Sequence, residues 1–120
     1  MTRAETLKIL KWFQSEIGIS DWIVDISIDE PQLKLMEDLP SQDWGEFLGR
    51  TQMAATMHKA QVWVNVQNHE KDQDPAETLI HELMHIFFSD CDMENTGDRR
   101  EYANNRISAV LLRQFRSDCK

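Results

Sequence analysis

From Arg3 to Ile17 the apolar residues recur at helical spacing: Leu7, Leu10, Phe13 and Ile17 fall on one arc, with Ile9 and Trp12 offering a neighbouring phase. Gly18 follows, the residue type best suited to leave a helix through a left-handed conformation. The period then shortens to two. Trp22, Val24, Ile26 and Ile28 alternate with Asp25 and Ser27, the pattern of a half-buried strand, until Glu30-Pro31 interrupts it. Residues 33–39 fit a short helical turn closed by Pro40. Residues 45–57 admit a second strand bent at Gly45 and Gly49, although 51–55 shows no clean period. Residues 61–66, Gln-Val-Trp-Val-Asn-Val, are rich in β-branched and aromatic side chains and predict a clearer strand, followed by a polar loop over 67–73.

A helix start is written into the next residues. Asp74 suits the N-cap, Pro75 the first helical position, and Glu77 stands three residues after the cap. The helix is expected to run to Phe88 or Ser89. An acidic loop over 89–97 separates it from a last helix, from near Asp98 to about Arg116. The expectation is an α+β fold in one domain, 1–120: N-terminal helix, a sheet of two or three strands, then two helices.

Length and charge narrow the function. A chain of 120 residues can bury one modest core and must build any site on a small scaffold. Thirteen Lys and Arg against twenty-one Asp and Glu leave a net charge of −8, which disfavours phosphate backbones and anionic membranes, so no nucleic-acid partner is expected. No apolar run approaches the roughly 20 residues of a membrane span. Cys91 and Cys119 form no close-spaced pair and no secretory signal is visible, so the expected compartment is the cytoplasm.

The chemistry is concentrated in His81-Glu82-Leu83-Met84-His85. Histidines four apart on a helix point the same way and can share one zinc ion, while the intervening glutamate can reach a water beside it. At about 100° per residue, Leu79, Ile80, Leu83, Met84, Ile86 and Phe87 share one arc. Glu77, Thr78, His81, Glu82, His85 and Ser89 share the other, where Phe88 is the one large apolar residue. The plain alternative is an exposed polar face on an ordinary amphipathic helix. A preceding strand, a well-placed cap and a following helix that can supply a ligand favour the metal.

Catalytic zinc usually takes three protein ligands and leaves a fourth position for water. No histidine follows His85, and Phe88 and Cys91 stand where the His-x-x-Gly-x-x-His extension of metzincins requires glycine and histidine. Glu101 is the leading third ligand. On the last helix an apolar arc of Ala103, Ile107, Val110, Leu111 and Phe115 has Glu101, Asn104 and Ser108 within or beside it, while Tyr102, Arg106, Arg113 and Arg116 point elsewhere. A carboxylate on a packed face needs compensation, and a metal on the neighbouring helix supplies it, with Asn104 and Ser108 as supporting groups. The alternative is that Asp98-Arg-Arg-Glu101 is a capping box. Cys91, Asp90, Asp92 and Glu94 are the other candidate ligands.

Thr78-Leu-Ile-His-Glu-Leu-Met-His85 together with Glu101-Tyr-Ala-Asn104, within residues 62–112, resembles the small gluzincin-type zincins, especially the ImmA/IrrE-like and minigluzincin metallopeptidases. Met84 departs from the glycine that often precedes the second histidine in the ImmA/IrrE group. The resemblance implies a zincin-like fold, Zn2+ on His81, His85 and Glu101, and Glu82 as catalytic base in peptide hydrolysis. It also implies that strand 62–66 is the sheet edge against which an extended protein or peptide substrate aligns. His58, His69 and Tyr102 are the candidates for stabilising an oxyanion, and any regulatory role would need a partner chain. The rival reading is an inactive zincin-like module that binds a protein segment without cleaving it.

Overall fold

The computed structural model describes residues 1–30, 47–90 and 97–119. Among them, three helices and a small mixed sheet make an α+β fold: α1 Arg3–Ile17, β1 Ile23–Ile28, β2 Gly49–Ala54, β3 Lys59–Val64, α2 Pro75–Asp90 and α3 Gly97–Asp118. Short 3-10 turns occupy Ala55–Met57 and Val66–Asn68. The turn expected at 33–39, Pro40 and the bend at Gly45 lie outside the described residues.

The first helix starts and stops on local chemistry. The Thr2 hydroxyl accepts the Glu5 N–H, and Gly18 leaves the helix at φ 88° while its N–H closes on the Gln14 carbonyl. Thr6, Ile9 and Phe13 form the buried face and Leu7 is exposed, so the phase containing Ile9 prevails. Thr6 can be buried because its hydroxyl donates to the Thr2 carbonyl.

The strand order is β1-β3-β2, with β1 parallel and β2 antiparallel to β3. This corrects the expectation for strand 62–66. β3 is the central strand, and β2 forms the edge on its side among the described strands. Val62 and Val64 are fully buried on the face that also carries Ile26, and Trp63 is buried on the other, its indole N–H donating to the Asp29 carbonyl. A strand covered on both faces belongs at the centre of a sheet.

α2 is the element around which the others gather, packing against α1, β2, β3 and α3. Asp74 caps it, its carboxylate accepting the Ala76 N–H at 3.0 Å and its carbonyl the Thr78 N–H at 3.2 Å. Leu79, Ile80, Leu83 and Ile86 are fully buried, and Phe88 and Glu82 are buried as well, so the expected polar side is itself covered. The helix continues through Asp90, slightly past the expected end.

α3 departs from its expected packing face. Asn104, Ser108, Leu112 and Phe115 are buried, whereas Ala103, Ile107 and Val110 face solvent. Phe115 meets Trp12 of α1 edge to face, with ring centroids 5.6 Å apart. No helix among the described residues is long and apolar enough to cross a membrane.

Asp74 also pairs with Arg116 of α3 at 2.7 Å, across 42 positions of sequence. Both groups are partly exposed, so that pair contributes little beside the cap. Asp74→Ala should therefore lower the unfolding free energy by about 1–2 kcal/mol and Arg116→Ala by under about 1 kcal/mol in urea titrations. Equal losses would show that the ion pair, not the cap, carries the effect.

Candidate metal centre

Successive turns of α2 set the His81 and His85 rings edge to face, with centroids 5.1 Å apart and planes at 79°. Glu101 reaches across from α3 so that one carboxylate oxygen lies 3.2 Å from His81 Nε2 and the other 3.3 Å from His85 Nε2. Charge-assisted N–H···O bonds are shorter, about 2.7–2.9 Å. Atoms on a common tetrahedral zinc, each about 2.0–2.1 Å from the ion, lie about 3.3 Å apart. The two Glu101 contacts, one from each carboxylate oxygen, are long for charge-assisted bonds and fall in the range of neighbouring donors around an ion, and two imidazoles with one carboxylate form a donor set that could hold a metal such as zinc.

Glu101 is held for this by its own helix. The Asn104 amide donates to the His81 carbonyl at 3.1 Å, and Ser108 donates to the Asn104 side-chain oxygen at 3.0 Å, both fully buried. These bonds tie α3 to the backbone of the histidine helix. The capping-box alternative for Glu101 fails on position: α3 already includes Gly97 and Asp98, so Asp98 lies inside the helix it would have to cap.

A second carboxylate lies beside the imidazoles. His81, Glu82 and His85 each offer a ligand atom within 4.8 Å of the others, a group that could hold a metal ion. Glu82 and Glu101 thus compete for the third position, and their surroundings separate them. Glu101 spans the two Nε2 atoms from the opposite helix. Glu82, next to His81 on the helix, turns toward β2, where the Thr51 hydroxyl is 3.0 Å from its carbonyl and 3.4 Å from Oε1. Glu82 is only 6% exposed. Burial and, secondarily, the Glu101 charge push its carboxyl up to about 8, against the lowering influence of Thr51 and Arg50.

Gly49 opens the space beside Glu82. A Cβ there would sit 2.9 Å from the Trp63 carbonyl oxygen, 3.0 Å from Thr78 Cγ2 and 3.1 Å from Glu82 Cγ. Gly49 is thus the close-approach point between β2 and α2, not the bend expected of it. A cleft of about 370 Å³ runs from Glu82 and His81 past Gly49, Thr78 and Glu77 to Ser108.

The other named candidates are placed elsewhere or already engaged. His69 Nδ1 is 2.7 Å from the Asn65 carbonyl and Nε2 is 2.7 Å from the Thr78 hydroxyl, so the ring pins the loop after β3 to α2. A carbonyl cannot donate, so Nδ1 carries the proton on that side. His58 stacks on Trp22 and contacts Asp21 at 2.6 Å. Tyr102 is 64% exposed and its hydroxyl accepts from Arg106. None of the three is among the residues lining the cleft. Asp90 is exposed at the end of α2, and Cys91, Asp92 and Glu94 lie outside the described residues.

Sequence reasoning missed Thr51 and the true role of Gly49. A lone glycine inside a strand is the signal for close backbone approach that would have pointed to the second. Comparison with protein-family models, curated proteins and solved structures finds no match.

Two measurements probe this geometry. Gly49→Ala should destabilise the protein by about 1–3 kcal/mol, because two of the three close contacts are a backbone oxygen and a packed methyl; a change near zero in chemical denaturation would mean that β2 does not press on α2. In the metal-free protein the raised carboxyl of Glu82 binds its proton more tightly folded than unfolded. Its contribution to stability is then full below about pH 4.5 and is lost as pH rises through about 8. The stability difference between wild type and Glu82→Gln, measured in chelator at several pH values, should shift against wild type over that window. A flat difference would mean that Glu82 is not buried as described.

Proposed function

We propose that this chain is a zinc-dependent peptidase of zincin type, with His81, His85 and Glu101 as ligands and Glu82 as general base. The observation that carries the reading is the Glu101 carboxylate set at 3.2 and 3.3 Å from the two imidazole nitrogens, with a separate buried carboxylate one residue from His81. Zinc held there would polarise a peptide carbonyl and bring the pKa of a water toward about 7. The protein's own part is orientation and proton transfer. Glu82 takes the proton from the attacking water and returns it to the leaving amine. Thr51 fixes the Glu82 carboxylate on the sheet side, and the absence of a Cβ at Gly49 leaves the cleft open beside it. An extended substrate would align on β2, the strand that flanks the cleft, and not on the central β3. A peptide or protein is accordingly the proposed substrate, and the cytoplasm the proposed compartment.

The test pairs metal content with turnover. Glu101→Gln should reduce zinc retained after dialysis by at least about tenfold. Glu82→Gln should keep zinc and lose at least about a hundredfold in the rate of cleaving a mixed peptide library. Full zinc in the Glu101 variant would remove that ligand. Undiminished cleavage by the Glu82 variant would remove the base. A zinc-loaded wild type that binds peptides but cleaves none would make the chain a zincin-like binding module instead.

A further inference from the structure

The outward face of α3 has the pattern of a surface that is covered in use. Its buried side is polar over the first half, with Glu101, Asn104 and Ser108 turned toward α2, while Ile107 is 38% and Val110 53% exposed on the opposite side, in line with exposed Ala103. Positions 103, 107 and 110 follow the spacing of one helical seam, and Leu111, half-buried, continues it toward the core. Single exposed aliphatics are ordinary on a protein surface, but here, over the first half of the helix, the polar side chains face inward and the aliphatic ones outward. β-Branched residues gain nothing at solvent-facing helical positions, where their restricted rotamers make them poorer helix formers.

Charge identifies what would cover the seam. Between Glu101 and Asp118 the chain has no acidic residue and three arginines, within a protein of net charge −8. Arg116 is engaged by Asp74, whereas Arg106 and Arg113 are exposed and, at about 100° per residue, flank Val110 on one side of the seam. Arg106 packs over the Tyr102 ring at 5.7 Å and donates to its hydroxyl, which holds the guanidinium along the helix. A second copy of this chain is disfavoured as the occupant: antiparallel pairing centred near Val110 would set Arg106 of each copy against Arg113 of the other.

We infer that the Ala103–Ile107–Val110 seam of α3 docks an amphipathic helix of another protein, one with aliphatic anchors at matching spacing and carboxylates along the flank that meets Arg106 and Arg113. The surface lies outside the candidate metal centre, and the inference stands without any assumption about catalysis. Aliphatic contacts supply affinity, and the arginines select an acidic partner over a basic one.

The probe is a synthetic helical peptide of about 18 residues with leucines at i, i+4 and i+7 and glutamates on the flanking positions, compared with a version carrying lysine for glutamate. Fluorescence anisotropy against the full chain should show the glutamate peptide binding at least about tenfold tighter, an advantage that shrinks with added salt. The Arg106→Glu, Arg113→Glu double variant should reverse the preference, and Ile107→Ser with Val110→Ser should weaken both peptides. All four positions are exposed, so circular dichroism should show unchanged helix content in both double variants. Equal affinity for the two peptides, binding by neither, or affinity unaltered in either double variant would overturn the inference. So would concentration-dependent dimerisation that the Ile107, Val110 variant abolishes, since the occupant would then be a second copy.

Discussion

The constraint on which the rest of the structure depends is that α2 is covered along almost its whole circumference while carrying two imidazoles and a carboxylate in consecutive turns. Polar groups in such a position need partners, because an unpaired buried acceptor or charge costs more than a surface one. The fold meets that demand from two sides. β2 brings Thr51 to the carbonyl and carboxylate of Glu82, and α3 brings Glu101 to both imidazoles and Asn104 to the His81 carbonyl. The sheet and the last helix therefore act as two clamps on one turn of α2, and the candidate metal centre lies between them.

Much of this was legible because it is local. Asp74-Pro75 announces where α2 begins, Gly18 where α1 ends, and the four-residue histidine spacing places both rings on one side without tertiary information. Glu101 was legible for a less direct reason: a carboxylate grouped with Asn104 and Ser108 on a helix is out of place unless it faces something polar. The same helix also shows where pattern reading fails. Assigning Ile107 and Val110 to the core assumes that aliphatic residues point inward, but the inward side of α3 meets the His81–His85 turn and is polar for that reason. β2 was obscure because two of its inward residues, Gly49 and Thr51, meet Thr78 and Glu82 of α2, so apolar alternation is lost. The central place of β3 was readable in principle from consecutive Val62-Trp63-Val64, a run that fits burial on both faces.

Two glutamates lie near the two histidines, and position on the helix gives them different surroundings. Glu82 follows His81 directly, so it is rotated about 100° from that imidazole and meets the sheet. Glu101 arrives from another element with both oxygens free to face the two rings. Burial raises the proton affinity of Glu82 toward neutrality, the setting that the proposed base would use. Glu101, the proposed ligand, keeps a half-exposed side chain, and a cation beside it would share its charge and lessen its pull on the Glu82 proton.

α3 consequently has two faces with different obligations. Its inner face is fixed by hydrogen bonds to α2 and within α3: Asn104, fully buried, donates to the His81 carbonyl and accepts from the Ser108 hydroxyl, so turning away would cost both bonds. That face holds Glu101 in register with the imidazoles, and any rotation of the helix about its axis would carry the carboxylate off the Nε2 pair. The outer face bears none of these bonds, so Ala103, Ile107 and Val110 are not required for the site to form. Among the described residues nothing packs over that outer face, and the proposed covering helix is the occupant that the flanking arginines match.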